Sequence, residues 1–193
     1  MSIDRTPHLN CFPPSHRVQC RSEVPTVGDV VTLTEAVRRR EDWRAAGKIV
    51  VLTNGCFDLL HMGHVDYLTR ARALGDVLIV GINGDASVRR LKGPGRPLIP
   101  AEERAALVAA LAAVDLAVIF EEDTAINLVR ALRPEIYVKG GDWGRPGGKR
   151  PPELEAARAV GADVRYLPYL PGYSTTALIR RIVERARDAE GHE

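Results

Sequence analysis

Short apolar, β-branched runs recur from residue 48 onward, and segments with helical periodicity separate them. The apolar runs lie at 48–53, 77–82, 114–120, 136–139 and 163–167. The helical patterns lie near 63–74, 101–112, 124–132, 152–160 and about 175–188. Runs this uniformly apolar are typical of strands that are buried on both faces. The alternation therefore predicts an α/β, Rossmann-like fold, with a doubly wound parallel five-stranded sheet and flanking helices.

The N-terminal part of the chain has a different pattern. Residues 1–27 hold several prolines and show no helical or strand period, which is typical of an extension without regular structure. Thr32 and Glu35 then form a capping-box pair ahead of a helical stretch. The predicted boundaries are 1–27 for a flexible extension, 28–193 for the domain, about 33–46 for its first helix and about 48–188 for its core.

Composition narrows the class of protein. The chain has 193 residues, of which 45% are hydrophobic and 27% charged, as expected for one globular domain. The 27 basic and 25 acidic residues give a net charge of +2, so we expect no nucleic-acid partner. No apolar run approaches the roughly 20 residues that cross a bilayer, and no secretory signal is evident. We therefore predict a cytoplasmic protein without a membrane partner.

The cysteines indicate neither a disulfide framework nor a metal site. The chain has three cysteines, Cys11, Cys20 and Cys56, and a small, odd number of cysteines does not form a disulfide framework. His8 and His16 lie near the first two cysteines, but the spacing matches no standard zinc finger. We predict no bound metal held by the protein itself.

Ligands of doubly wound sheets bind beyond the carboxyl ends of the strands, where the strand order reverses. The loops that follow the predicted strands lie at 54–62, 83–99, 121–123, 140–151 and 168–174.

The first of these loops carries two histidines, His61 and His64, with Gly63 between them. They lie where a strand passes into a helix, and a helix N-terminus presents free N–H groups and partial positive charge to an anion. Two imidazoles add donors, and the glycine leaves room for a phosphate. The alternative is a pair of ordinary histidines in a capping turn. The pattern is neither the glycine-rich dinucleotide fingerprint nor a Walker loop.

A second polar turn opens the last predicted helix. Ser174, Thr175 and Thr176 supply hydroxyls and backbone N–H groups that could meet the outer phosphates of a nucleoside triphosphate. The alternative here is an ordinary Ser/Thr cap of the helix.

These motifs carry a resemblance to a known family. H-x-G-H preceded by N-G-C-F-D, together with G-Y-S-T-T-A-L-I-R at 172–180, resembles the cytidylyltransferase-like nucleotidyltransferase superfamily. Further motifs at 83–93, 96–97, 120–124 and 138–142 resemble the D-glycero-β-D-manno-heptose 1-phosphate adenylyltransferases. The resemblance runs from about residue 30 to 183, and implies a stand-alone form of an enzyme that also occurs fused to a sugar kinase.

The chain departs from that family in places. Trp143 stands where the family usually has tyrosine, and 144–151 is richer in glycine and proline than expected. These departures could alter the acceptor sugar and leave the chemistry unchanged.

The resemblance implies attack of a sugar 1-phosphate oxygen on the α-phosphorus of ATP, giving ADP-heptose and pyrophosphate. Mg²⁺ would arrive with the triphosphate. It also implies a separately encoded kinase and phosphatase as pathway partners, and leaves a homo-oligomer open. Two alternatives remain: a cytidylyltransferase acting on a polyol or alcohol phosphate such as glycerol 3-phosphate, and a non-catalytic nucleotide-binding module.

By the same resemblance, His61 and His64 hold phosphate oxygens and the charge that develops at the α-phosphorus. Lys92 reaches acceptor or α-phosphate oxygens, with a solvated loop lysine as its alternative. Arg180 clamps the outer phosphates, and Arg181 is a rival for that role.

The resemblance divides the remaining site between two substrates. The nucleotide contacts are assigned to Cys56, Phe57, His61, Gly63, His64, Asp142, Ser174, Thr175 and Thr176. The acceptor contacts are assigned to Asp58, Asn83, Lys92 and Lys139. Asp58 has a structural turn role as its alternative. Cys56 is expected to pack as a small buried residue rather than act as a nucleophile.

Overall fold

A computed structural model describes residues 28–141, 143 and 150–190 of the chain. Its centre is a six-stranded parallel sheet in the order β1-β4-β3-β2-β5-β6. The strands are β1 Asp29–Val31, β2 Val50–Gly55, β3 Val77–Asn83, β4 Leu116–Phe120, β5 Ile136–Gly140 and β6 Asp163–Leu167. The helices are α1 Leu33–Ala45, α2 Met62–Arg72, α3 Asp85–Lys92, α4 Ala101–Ala109, α5 Ile126–Leu132, α6 Leu154–Ala159 and α7 Thr175–Glu190.

The structure confirms the predicted α/β class and the five predicted strands, and it corrects two details. The sheet has a sixth strand, β1, because three residues at the edge pair with β4 in the register Asp29↔Leu116. The segment 83–99, predicted as a loop, contains α3. The predicted extension at 1–27 lies outside the described residues.

Apolar side chains from both faces of the sheet form the core. Leu52, Ile79 and Val118 pack beneath α1, α5 and α6 on one face. Leu78 and Val80 pack against α2 and α4 on the other. Every residue of β3 is buried, as the uniformly apolar run predicts. The edge strand β6 is largely exposed.

The first helix begins as its capping pair predicts. The backbone N of Glu35 donates to the Thr32 hydroxyl oxygen over 3.2 Å. Thr32 is therefore the N-cap residue, and α1 starts directly after it, at Leu33. Trp43, near the end of this helix, packs against the core. No helix in the described part of the chain is long and apolar enough to cross a membrane.

The strand order reverses at β2. The chain runs outward through β3 and β4 on one side of β2, then returns to place β5 and β6 on the other. A cleft therefore forms at the carboxyl end of β2, where the loops from both sides diverge. This is the position at which the sequence motifs lie.

Candidate active site

A cavity of about 580 Å³ opens at the carboxyl ends of β2, β3 and β5. Most of the residues assigned to the site from the sequence line it. They are Cys56, Phe57, Asp58, His61, Gly63, His64, Asn83, Lys92, Lys139, Ser174, Thr175 and Thr176. Arg180 and Arg181 are exposed on α7 and are not part of the cavity wall. Asp142 lies outside the described residues.

The two histidines stack at the start of α2. Their ring centroids are 3.9 Å apart and the ring planes differ by 14°. His61 is the N-cap residue, but its side chain makes no capping hydrogen bond to the first turn. The N-terminal N–H groups of α2 are therefore not satisfied by that side chain, and an anion at this end can accept from them.

Burial favours the neutral form of both imidazoles. Burial first, and the nearby His61 second, lower the pKa of His64 to about 4, although a hydrogen bond with the Leu59 backbone favours the charged form. Burial also lowers the pKa of His61. Since an anion nearby favours the protonated form of an imidazole, the pair is suited to respond to a phosphate.

Phe57 holds an uncommon backbone conformation beside this pair. Its φ of 48° lies in the left-handed region, which a residue with a side chain seldom adopts. The ring is buried, and its centroid lies 5.2 Å from that of His64. The turn thus places an aromatic wall against the imidazole.

Gly63 allows α2 to approach the start of α7. A Cβ atom at this position would lie 2.9 Å from the Cβ of Tyr173 and 3.1 Å from the His61 ring. Ser174 caps α7, because its hydroxyl oxygen accepts from the backbone N of Ala177 over 3.1 Å. The predicted cap is therefore present, and the same turn lines the cavity near the histidines, since the ring centroids of Tyr173 and His61 are 6.4 Å apart.

Asp58 is occupied by contacts within the protein. Its side chain is fully buried, and it pairs with the Arg96 guanidinium. It also accepts from the backbone N of Leu98 over 2.7 Å and of Ile99 over 3.0 Å. These bonds hold the 96–99 segment over the cavity, which favours the structural role that the sequence left open.

Asn83 is likewise bonded within the fold. Its side-chain nitrogen donates to the Ser87 hydroxyl over 3.0 Å and to the backbone oxygen of Glu122 over 3.3 Å. Asn83 therefore fixes the start of α3 against the β4 loop. Lys92, the last residue of that helix, is exposed, lines the cavity and makes no ion pair with any other described residue.

Arg104 organises the site, although sequence reasoning missed it. It is fully buried in α4, and its guanidinium donates to the backbone oxygens of Cys56, Asn83 and Ile99. It also pairs with Asp85 over 2.8 Å. One side chain thus ties the β2 loop to the end of β3. Its setting, A-E-E-R-A-A-L, gives no signal that separates it from an ordinary surface arginine.

Cys56 is partly buried in the cavity wall. Burial raises the pKa of its thiol, and the charges of Lys92 and Arg104 oppose this shift. A thiol in its protonated form is a poor nucleophile, which supports the packing role predicted for Cys56.

Three residues near β5 form a polar cluster at the opposite wall. Lys139 Nζ donates to Asn54 Oδ1 over 2.9 Å and lies 3.2 Å from Glu153 Oε2. Neither Asn54 nor Glu153 was assigned to the site from the sequence. Asn54 and Glu153 are both distant in sequence from Lys139, so the sequence does not show that they meet. No group of three or more His, Cys, Asp or Glu side chains within the described ranges could hold a metal ion.

Gly140 and Gly141 allow an aromatic ring to cover the end of β5. A Cβ atom at either position would overlap the ring of Tyr169, and Gly141 has a φ of +68°. Trp143 stands beyond them, with Lys139 Nζ 5.9 Å from its ring centroid. Tyr169 and Trp143 therefore give the end of β5 an aromatic surface within the cavity.

Comparisons with known proteins agree with this geometry. Bifunctional protein HldE of Trichlorobacter lovleyi is 52% identical over 149 residues, which cover 76% of this chain and 29% of that protein. HldE of Syntrophotalea carbinolica is 45% identical over 174 residues, 88% of this chain and 33% of that one. The chain thus spans about a third of the length of these curated relatives.

A solved structure has the same fold. The lipopolysaccharide core biosynthesis protein from Thermoplasma volcanium superposes with a TM-score of 0.52 at 31% identity, over 64% of this chain and 98% of that one. The cytidylyltransferase-like family model matches residues 52–181, from the middle of β2 into α7. This span contains both the histidine pair and the serine–threonine turn, and the chain belongs to the cytidylyltransferase-like family of nucleotidyltransferases.

Proposed function

We propose that this protein transfers AMP from ATP to a sugar 1-phosphate, D-glycero-β-D-manno-heptose 1-phosphate, giving ADP-heptose and pyrophosphate. The observation that carries the proposal is the stacked His61–His64 pair at the start of α2, which lines one cavity together with the Ser174–Thr176 turn at the start of α7. Two helix N-termini directed at one space suit a chain of phosphates.

The triphosphate lies between these two helix starts in the proposed complex. The α-phosphorus is next to the histidines, and the outer phosphates meet the hydroxyls of Ser174, Thr175 and Thr176. The acceptor phosphate oxygen attacks the α-phosphorus, the bond to the β-phosphate oxygen breaks, and pyrophosphate leaves. Catalysis of this kind depends on positioning and on donors directed at the developing charge, with no covalent intermediate.

The side chains have separate proposed roles. His61 and His64 donate to oxygens of the transferring phosphate, and Lys92 brings positive charge to the acceptor phosphate from the end of α3. Arg180 or Arg181 meets the outer phosphates only if its side chain extends back along α7 toward the Ser174 turn. Mg²⁺ comes with ATP, and the described residues supply no carboxylate cage for it.

The relatives support the substrate class. HldE is named bifunctional, and this chain matches about a third of it, so we assign one activity to the matched part. The Thermoplasma protein is named for lipopolysaccharide core biosynthesis, which agrees with a sugar as acceptor. In this proposal a separate sugar kinase and a phosphatase supply the sugar 1-phosphate, as the family resemblance implies.

The second candidate is transfer of CMP from CTP to glycerol 3-phosphate or a similar alcohol phosphate. The family description favours it, because the matched model is called cytidylyltransferase-like. Both candidates use the same histidines and the same leaving group, and they differ in the base and the acceptor.

A substrate matrix separates these candidates. ATP and CTP are each combined with heptose 1-phosphate, other sugar 1-phosphates and glycerol 3-phosphate, and pyrophosphate release is measured with Mg²⁺ present. We expect the fastest release with ATP and heptose 1-phosphate. Faster release with CTP and glycerol 3-phosphate would favour the second candidate. Nucleotide binding without product in any combination would indicate a non-catalytic module.

A further inference from the structure

A buried carboxylate forms part of the cavity wall and has no role in the mechanism above. Glu153, which precedes α6, is only 2% exposed. Its Oε1 accepts from the backbone N of Ala125 over 3.0 Å, and its Oε2 lies 3.2 Å from Lys139 Nζ. A carboxylate withdrawn this far from water is unfavourable unless a cation pairs with it. The ion pair with Lys139 therefore stabilises the charges of both residues.

Lys139 in turn fixes the orientation of an amide. Asn54 Oδ1 accepts from Lys139 Nζ over 2.9 Å and from the Tyr137 hydroxyl over 2.7 Å. Because an ammonium group only donates, the oxygen of this amide and not its nitrogen must face Lys139. Asn54 lines the cavity, and its Nδ2 has no hydrogen-bond partner among the described residues. One N–H of Lys139 is also left over after its two contacts.

The charge at this wall is balanced. Among the described residues of this wall, the positive charge of Lys139 is matched by the negative charge of Glu153, so together they present N–H donors without net charge. A phosphate binds best where positive charge is in excess, as at the α2 N-terminus and at Lys92. Trp143 and Tyr169 add aromatic surface beside the donors. These properties fit an uncharged group that carries hydroxyl or carbonyl oxygens.

We propose that Glu153 is a positioning residue, which keeps Lys139 charged and held against Asn54 so that their free N–H groups bind an uncharged hydroxyl- or carbonyl-bearing part of a substrate. This inference rests on the proposed function for the identity of the substrates. The Glu153–Lys139–Asn54 arrangement itself does not depend on it.

Removal of the carboxylate should change when Lys139 loses its proton. Burial lowers the pKa of Lys139, and the nearby Glu153 carboxylate raises it, with a smaller contribution from Cys56. The Tyr137 hydroxyl also faces Lys139 from the same strand, and its own pKa is raised by burial, so it stays neutral. Without Glu153, burial acts with little opposition, and the ammonium deprotonates at lower pH.

Glu153→Gln is the sharpest substitution, because the amide oxygen can still accept from the Ala125 backbone N. The chain has only four lysines, so protein labelled with ¹³C-lysine gives few signals, and Lys139→Arg identifies the one from Lys139. We expect the Lys139 signal to titrate at least about one pH unit lower in Glu153→Gln than in the unsubstituted protein. An unchanged titration would overturn the proposal, whatever the protein's activity.

The ligand class is tested by inhibition of pyrophosphate release at pH 8.5. Adenosine and the unphosphorylated heptose probe uncharged groups, and inorganic tripolyphosphate probes the charged part of the site. In Glu153→Gln we expect inhibition by adenosine or the free sugar to weaken at least about tenfold, and to recover toward pH 6, with tripolyphosphate unchanged. Weaker tripolyphosphate inhibition alone, or an equal loss at every pH, would contradict the proposal.

Two controls separate a positioning role from a structural one. Glu155→Gln removes an exposed carboxylate from α6 and should leave inhibition and its pH dependence unchanged. The double variant Lys139→Gln/Glu153→Gln should show the same pH dependence of inhibition as Lys139→Gln alone, because the lysine that titrates is absent from both. If the unsubstituted protein releases no pyrophosphate with any substrate pair, the proposed function fails, while the lysine titration still decides the role of Glu153.

Discussion

The turn that holds His61 and His64 supplies both a stacked ring surface and hydrogen-bond donors for an anion. The stacked rings lie at a helix start whose N–H groups the His61 side chain leaves uncapped, and burial favours the neutral form of both rings. Gly63 between them lets the start of α7 come within contact distance. The histidine pair and the glycine could be predicted from the sequence, but the stacking of the rings and the Tyr173 contact could not. Those depend on how α7 packs.

The low pKa of His64 gives a stability prediction. The folded protein holds this imidazole neutral down to about pH 4, whereas the unfolded chain takes up a proton near its ordinary value of 6.5. Protonation of the unfolded state therefore lowers the free energy of unfolding as pH falls from 6.5 to 4, by up to about 3 kcal/mol. His64→Gln removes this contribution. Denaturant unfolding should show that the free energy of unfolding of the unsubstituted protein falls more steeply from pH 6.5 to pH 4 than that of His64→Gln. A difference between the two free energies that does not change with pH would contradict this prediction.

Gly63→Ala tests the close approach of α2 and α7. The new Cβ would lie 2.9 Å from the Tyr173 Cβ and 3.1 Å from the His61 ring, so one of them must shift. Since a small displacement of reacting groups costs up to about 10²-fold in rate, we expect turnover to fall at least about tenfold. Gly95→Ala is the matched control, because a Cβ there meets nothing within 4 Å. Equal turnover in both variants would show that the approach is not needed.

At the scale of elements, the predictable parts were those with strong local patterns. The β3 run 77–82 agrees closely with the observed strand, because apolar and β-branched residues fill it. The run 163–167 coincides with β6, in which the charged residues Asp163 and Arg165 alternate with Val164 and Tyr166. α3 was missed because only Ser87 and Val88 of its eight residues are buried, so its apolar stripe is too narrow to read. β1 is an edge strand of three residues, too short for any periodicity.

Buried polar contacts between elements could not be predicted at all. Arg104 bonds to Cys56 and Asn83, which are distant from it in sequence, and the Lys139–Glu153 pair joins β5 to the start of α6. A single sequence gives no sign of such pairings, because Arg104 and Glu153 stand among ordinary charged residues.

Arg104→Met tests the bracing of the β2 and β3 loops by α4. It leaves the buried backbone oxygens of Cys56 and Asn83 without this donor and Asp85 without its ion-pair partner. A buried acceptor that loses its donor typically costs about 1–3 kcal/mol. We expect a loss of that order in the free energy of unfolding, measured with urea. Arg158→Met, at an exposed arginine with one surface ion pair, should change it by less than about 0.5 kcal/mol. Similar losses in both variants would argue against the brace.

The whole molecule places its chemistry at the strand-order reversal, with two unlike walls. Lys92 ends the helix that follows β3 and the histidines begin α2, whereas the Lys139–Glu153 pair and Trp143 lie at the end of β5. The location of the cleft could be predicted from the strand–helix alternation, because doubly wound sheets bind ligands there. The division of the walls depends on Trp143, Tyr169 and Glu153, whose convergence only the folded chain shows.

The sequence also predicts that the N-terminal extension is dispensable. Residues 1–27 are proline-rich and show no apolar period, so they lack the pattern of a segment that packs into a core. We expect their deletion to leave the melting temperature and the turnover nearly unchanged, as measured by thermal unfolding and pyrophosphate release. A loss of turnover beyond about tenfold, or roughly 1.4 kcal/mol in the barrier, would show that the extension contributes to the site.

The most direct test of nucleotidyl transfer compares His64→Ala with Cys56→Ala in the same cavity. Loss of a donor directed at charge that develops only during transfer should slow turnover by about 10²–10³-fold, while ATP affinity changes much less. Cys56→Ala should cost little, because its thiol packs in the wall and stays protonated. Turnover and ATP affinity are measured for both variants. Near-normal turnover in His64→Ala together with its loss in Cys56→Ala would contradict nucleotidyl transfer and point to thiol chemistry.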